Sequence, residues 1–290
     1  MYSKTMQKIG FIGTGRVGTA IAYALKSKEY QIIGANDQNQ KKTKAFYNLL
    51  KLKHQCTTNR EITQKADIIF ITTQDSEIEK VYNEIFPYLR EDQIIIHCSG
   101  VLNNSIFKDA NRKGIMTIGL HPIQTFPTIR QAIGGTKNIY YAVEATGRAK
   151  QIAKRIVRDL EGTPVFISGK DKPLYHTMCV FASNYLVALI SAVIDIATQL
   201  KIKPHIAFRT LEPLITRTLR NVKKDGIEKS LSGPIARGDV NTITSHLAVL
   251  NKKIPKLLPS YYALGLRTLD LAKWGLNKKT IVTIERLLKR

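Results

Sequence analysis

The sequence predicts an α/β protein in two parts: a doubly wound, mainly parallel sheet with helices on both faces, followed by an all-helical second domain. Three observations predict it. Short apolar runs alternate with helical ones as far as residue 168, as crossover-connected parallel strands require. The first apolar run leads directly into Gly13-x-Gly15-x-x-Gly18 and a helix-forming stretch. Beyond Gly169 only helical periodicity remains, punctuated by Pro173, Pro204, Pro213, Pro234, Pro255 and Pro259. At 290 residues the chain is near the size at which one core divides, so the expected domains are 1–168 and 169–290.

In chain order, the first strand begins at Lys8 and passes through the glycine turn into a helix from Thr19 to Lys26. A second strand covers Tyr30 to Ala35 and ends at Asn36-Asp37. A helix from Lys41 to Leu52 is followed by a polar segment. Ala66 to Thr72 is a continuous apolar run, as expected of a strand buried on both faces. Ser76 to Leu89 reads as a helix, with Asp75 and Ser76 as N-cap candidates. Gln93 to His97 is the fourth strand, a short helix near Asn104 to Lys113 comes next, and Ile115 to Leu120 is a strand ending at His121-Pro122. Asn138 to Glu144 and Pro164 to Ser168 are further strands around a helix over Gly147 to Leu160. Met178 to Ile194 carries no charge and approaches membrane-spanning length. It contains Ser183, Asn184 and Ser191 and runs into Asp195, which predicts a buried core or interface helix.

Composition bounds the function. With 43% hydrophobic and 23% charged residues the chain is that of an ordinary soluble globular protein. The net charge of +23 is spread through scattered pairs such as Lys41-Lys42, Lys223-Lys224, Lys252-Lys253 and Lys278-Lys279. It forms no block and no aromatic-basic interleaving, so a lysine-rich solvated surface is expected, not a nucleic-acid or membrane partner. Cys56, Cys98 and Cys179 are too far apart for a Cys-x-x-Cys pair and indicate neither a disulfide framework nor a metal site. No charged-then-apolar leader is expected, and a reducing cytoplasm fits.

Ligands of open parallel sheets bind outside the carboxyl ends of the strands, and the chemistry-bearing residues fall there. Gly13 permits the tight turn, Gly15 a close backbone approach to a pyrophosphate and Gly18 close helix packing; with Thr14, Arg16 and Val17 they aim helix amides at an anion. Asp37 stands where an acid accepts hydrogen bonds from an adenosine ribose, which favours NAD over NADP, although Lys41 and Lys42 nearby are able to neutralise a 2′-phosphate. The other reading of Asp37 is a helix cap. Thr72, Thr73, Gln74 and Asp75 follow the third strand, and Ser99 and Gly100 the fourth. His121 is the candidate for proton transfer near neutrality, against a structural histidine held in a loop. Ser99 is either its partner or a simple turn. On one continuous helix, Ser191 and Asp195 share a stripe with Asn184, and His176 lies on the same side. Arg237, in Ser232-Gly233-Pro234-Ile235-Ala236-Arg237-Gly238-Asp239, is able to grip a carboxylate bidentately, or is an ordinary surface arginine.

Gly13-Thr14-Gly15-Arg16-Val17-Gly18, His97-Cys98-Ser99-Gly100, Gly119-Leu120-His121-Pro122-Ile123-Gln124-Thr125-Phe126, Ala182-Ser183-Asn184-Tyr185-Leu186 and Gly233-Pro234-Ile235-Ala236-Arg237-Gly238-Asp239 together resemble a largely uncharacterised family of Rossmann-like oxidoreductases. The resemblance covers nearly the whole chain. It implies an NAD(P)-binding domain and a 6-phosphogluconate-dehydrogenase-like helical domain, similar in plan to pyrroline-5-carboxylate reductase and the β-hydroxyacid dehydrogenases, whose helical domains commonly build homodimers. Gly119 to Pro122 also looks like the motif bearing the catalytic histidine of prephenate dehydrogenases. The β-hydroxyacid dehydrogenases place a lysine four residues before an asparagine; here Val180 stands four before Asn184, which leaves His121 or His176 to supply the proton. The expected activity is hydride transfer between nicotinamide and a small anionic carbonyl, imine or hydroxy substrate between the two domains. In that reading Asn184 and Arg237 orient the substrate, and the competing expectation is a dinucleotide sensor without turnover.

Overall fold

The computed structural model describes residues 7–53, 56 and 58–289. The leading residues 1–6 and part of the polar segment after Leu52 lie outside them. The chain divides into two compact units, Met1–Phe181 and Ala182–Arg290.

In the first unit the order is β1 (Lys8–Ile12), α1 (Arg16–Lys26), β2 (Gln31–Asn36), α2 (Gln40–Leu50), α3 (Asn59–Lys65), β3 (Ile68–Ile71), α4 (Asp75–Ile85), β4 (Ile94–His97), β5 (Met116–Pro122), α5 (Ile129–Ala132), β6 (Tyr140–Glu144), α6 (Gly147–Asp159), β7 (Thr163–Phe166) and α7 (Lys172–Ala182). The seven strands form one sheet in the order β2-β1-β3-β4-β5-β6-β7. All neighbours are parallel except β5 and β6, which run antiparallel with His121 opposite Ala142. Strand side chains alternate between faces, so the wholly buried run Ile68-Ile69-Phe70-Ile71 feeds two cores at once. Ile68 and Phe70 join Phe11, Phe46, Ile96 and Ile118 on one face, whereas Ile69 and Ile71 join Ile78, Tyr82, Ile95 and Phe107 on the other. Phe11 and Phe70 stack at 4.9 Å between ring centres.

Several expectations are corrected. Part of the expected polar segment is helix α3, closed by a capping box in which Thr58 and Glu61 satisfy each other's backbone amides. Helix α4 is preceded by Gln74, whose side chain makes no cap bond, so neither Asp75 nor Ser76 serves as N-cap. The short helix expected near Asn104 to Lys113 is two 3₁₀ turns, Asn104–Ile106 and Asn111–Lys113. His121 and Pro122 lie within β5, not after it, because the antiparallel ladder with β6 extends the strand past Leu120.

The second unit is helical: α8 (Asn184–Gln199), α9 (Pro204–Asp225), α10 (Ile227–Ser230), α11 (Pro234–Arg237), α12 (Val240–Lys253), α13 (Leu258–Ala272) and α14 (Lys278–Leu288). Its core joins Ile235, Ile243, Leu269, Ile284 and Leu288. Pro204 and Pro234 open their helices, where a missing amide costs nothing, but Pro213 lies inside α9 and does not end it. The apolar segment, expected as one buried core or interface helix, is not buried in a core and is broken in two: a turn at Ser183 separates α7, which carries His176, from α8, which carries Asn184. Met178, Val187 and Leu200 are 59%, 66% and 62% exposed, and Ala197 is the buried residue of α8. Residues 169–199 contain an 18-residue window of mean hydropathy 1.9, long and apolar enough to cross a membrane by composition.

Candidate functional site

The glycine turn is built by contacts that leave no room for side chains. Gly13 has φ +100°, and a Cβ there would lie 2.6 Å from the backbone carbon of Thr72. A Cβ on Gly18 would meet Thr72 Oγ1 at 2.3 Å. Thr72 locks the arrangement: its amide donates to the Ile12 carbonyl at 2.8 Å and its hydroxyl to the Gly13 carbonyl at 2.6 Å. Gly15 precedes α1 with no side-chain cap, and a Cβ on it would find its nearest atom at 3.9 Å, so the first amides of α1 face open space. The side chain of Thr14 is buried, Val17 packs against the sheet core, and Arg16 reaches out to donate to the Pro127 carbonyl at 3.0 Å.

Asp37 is not the cap of α2; Asn39 performs that role through the amides of Lys41 and Lys42. Its carboxylate instead accepts from the Thr14 amide at 2.8 Å, the Thr14 hydroxyl at 3.2 Å and the Asn39 amide at 2.9 Å, tying the end of β2 to the glycine turn. Gly13, Gly15, Asp37, Asn39, Lys42, Thr72, Thr73, Gln74, Glu77 and Glu84 line a cavity of about 420 Å³. The hydroxyl of Thr73 is buried in this region without a partner, and Asp75 opens α4 beside Gln74.

A second polar cluster lies at the ends of β4 and β5. Nδ1 of His121 is 2.6 Å from the Tyr175 hydroxyl, and the His176 ring is 6.3 Å away centre to centre. Gly100 sits against both histidines: a Cβ there would be 2.7 Å from His176 Cδ2 and 3.0 Å from His121 Nε2. Ser99 is occupied as a turn, its hydroxyl oxygen accepting from the amides of Val101 at 3.2 Å and Leu102 at 3.0 Å. Beneath the histidines is Lys172, buried, with Nζ donating to the Ser99 carbonyl at 3.0 Å and 3.8 Å from Glu144. Both oxygens of Glu144 accept from the Asn104 amide at 3.0 Å. His97 accepts the Ser99 amide on Nδ1 at 3.3 Å, and its Nε2 is buried without a partner.

Burial controls the charges. It lowers Lys172 to about 8, against the pull of Glu144, and lowers His121 to about 4 with help from Lys172 and His176. His97 falls to about 3, again chiefly by burial and then by Lys172, while burial pushes the Cys98 thiol up to about 12. Tyr175 is raised well above the ordinary phenol range by burial, then by Cys179. The structure therefore brings together His121, His176, Ser99 and Gly100, and separately the glycine turn with Asp37 and Thr72 to Gln74. Asn184, exposed, and Arg237, on the last turn of α11 before Gly238, belong to the second unit. Sequence reasoning missed Lys172 and Tyr175. The available signal was Lys172-x-x-Tyr175-His176, three side chains at helical spacing on the helix after the last strand.

Comparison with known proteins gives two family matches, the second of which crosses the border between the two units. Residues 8–100 match the family model "NADP oxidoreductase coenzyme F420-dependent", and residues 139–268 match a domain of unknown function, DUF2520. The two matches cover separate stretches of the chain, the first at its amino-terminal side and the second across its middle. Among solved structures, a Bacteroides fragilis protein whose name places it with the NADP oxidoreductases shares the fold at TM-score 0.74 and 20% identity over 91% of this chain and 98% of that one. Plasmodium falciparum pyrroline carboxylate reductase, solved with NADP bound, shares it at TM-score 0.60 and 16% identity over 97% and 98%. A glycerol-3-phosphate dehydrogenase [NAD(P)+] of Syntrophomonas wolfei is 22% identical over 97% of this chain and 85% of its own length. The match to the oxidoreductase model thus ends on Gly100, the glycine that lies against His121, and the DUF2520 match includes Lys172, Tyr175 and His176.

Proposed function

We propose that the protein is an NAD(P)-dependent oxidoreductase acting on a small, anionic carbonyl, imine or hydroxy compound. The observation that carries this reading is the uncapped start of α1 beneath Gly13 and Gly15, an anion cradle whose turn leaves no room for a Cβ on Gly13 against the Thr72 backbone. The residues present suit a dinucleotide: Gly13, Thr14, Gly15, Arg16, Val17 and Gly18 hold the pyrophosphate, Asp37 the ribose, and Thr72 to Asp75 with Ser99 and Gly100 the nicotinamide side. When bound, the coenzyme supplies a hydride-carrying carbon. Asp37, Glu77 and Glu84 outnumber Lys42 in the cavity lining and disfavour a 2′-phosphate, so NAD(H) binds in preference to NADP(H). His121 faces the reacting group as the proton-bearing residue, with His176 beside it.

Titration with NADH and NADPH tests the coenzyme: saturable binding is expected, about tenfold tighter for NADH, which corresponds to about 1.4 kcal/mol. Gly13→Ala is expected to abolish it. Absence of binding of either coenzyme overturns the reading. Turnover on a panel of keto acids and imines, reduced about a hundredfold or more in His121→Gln, tests the chemistry. Saturable binding with no turnover on any of them would favour a sensor. The exposed apolar residues of α7 and α8 are assigned to a homodimer contact; a bilayer fits less well, because Asp195 on α8 forms an ion pair with Lys256 at 2.8 Å.

A further inference from the structure

We propose that Tyr175 fixes the tautomer of His121: its hydroxyl donates to Nδ1, leaving the ring's single proton on Nε2 and making His121 a neutral hydrogen-bond donor toward a carbonyl or imine, not a base toward an alcohol. This deepens the function proposed above, resting on His121 as the residue that faces the substrate.

The Nδ1 to Oη separation of 2.6 Å is a short hydrogen bond, and the chemistry of the two groups sets its direction. Tyr175 is 7% exposed, and its hydroxyl has one proton to donate. An imidazole nitrogen accepts strongly and a sulfur weakly, which sends the phenolic proton to His121 in preference to Cys179. Burial keeps Tyr175 protonated, so the donor is present throughout the working pH range. The same burial, with Lys172 and His176 nearby, denies His121 a second proton. With one proton to place, the partner on Nδ1 decides which nitrogen carries it.

Nε2 lies beside Gly100 and has no hydrogen-bond partner among the described residues, nor is it among the side-chain atoms sealed from solvent. An N–H there, aimed from a fixed ring, stabilises the negative charge that grows on a carbonyl oxygen or imine nitrogen as the hydride adds to its carbon, and solvent water supplies the proton that completes the alcohol or amine.

Two-bond ¹H–¹⁵N correlation spectra of the full chain labelled with ¹⁵N-histidine read the tautomer directly, with the His121 signals identified by their loss in His121→Gln. At neutral pH the wild-type protein is expected to show the Nε2–H pattern for His121, and Tyr175→Phe a mixture of the two tautomers. An Nδ1–H or doubly protonated His121 in the wild-type protein overturns the proposal, as does a Tyr175→Phe spectrum with the His121 pattern unchanged. The wild-type spectrum decides even if the variant fails to fold. Neither coenzyme nor substrate enters the measurement, so a failure to bind NADH or NADPH would sink the proposed function and leave the tautomer result intact.

Discussion

Burial holds the imidazole of His121 neutral down to about pH 4 and that of His97 to about 3, whereas in an unfolded chain both take up a proton near 6.5. Between those values the unfolded state binds more protons than the folded one, so stability rises with pH there. The contribution is complete above pH 6.5 and is lost as pH falls through the folded values. For His121 alone it amounts to about 3 kcal/mol at most. Urea unfolding at several pH values between 7 and 4 is expected to give a shallower pH dependence for His121→Gln than for the wild-type protein; parallel curves would refute the neutral, buried ring. Lys172 works in the opposite pH range. Its lowered value means that the unfolded chain holds the proton more tightly between about 8 and 10.5, so the cost of burying the cation is relieved as pH rises through that window. The glycines beside these groups are as constrained as the groups themselves. A methyl on Gly119 would sit 3.0 Å from Lys172 Nζ and 3.1 Å from His97 Nε2.

Helix α3 depends on its first turn more than on its length. Seven residues are too few for a helix to hold itself in water, and α3 persists because Ile62 is buried and Thr58 and Glu61 close a capping box. Thr58→Ala is expected to cost about 1 kcal/mol, read as a lower urea midpoint with unchanged slope; an unchanged midpoint would mean that packing alone holds the helix. The same element shows what the sequence hides. Strands were legible because Ile68 to Ile71 or Ile94 to Ile96 offer nothing but apolar side chains, whereas α3 is mostly polar and the capping box that marks it is only two residues. The glycine turn and Asp37 were readable from spacing, since each glycine answers to a steric demand. The antiparallel step from β5 to β6 was not, because strand composition is blind to direction. Neither proline nor glycine marks the turn at Ser183, so one helix was expected where two stand. Lys172 escaped notice because an isolated lysine is by default a surface residue, and only the fold brings Glu144 and the Ser99 carbonyl to it.

At the scale of the whole chain, the homodimer proposed for the exposed leucine, valine and methionine side chains of α7 and α8 is open to direct measurement. Sedimentation is expected to show a dimer that Val187→Glu weakens, since a charge would be buried in the contact; a monomer at every concentration would refute it. The +23 charge makes such association harder and is expected to render it salt-dependent. The extent of the DUF2520 match, 139–268, carries one last implication. It starts inside the sheet, at the edge of β6, and takes β6 and β7 while leaving behind β5, the only antiparallel neighbour β6 has. A fragment cut at that border would inherit two strands with an open flank and Lys172 stripped of the Ser99 carbonyl, so it should aggregate on expression. The stretch that matches DUF2520 is therefore expected to need β5 and the Ser99 carbonyl in order to fold.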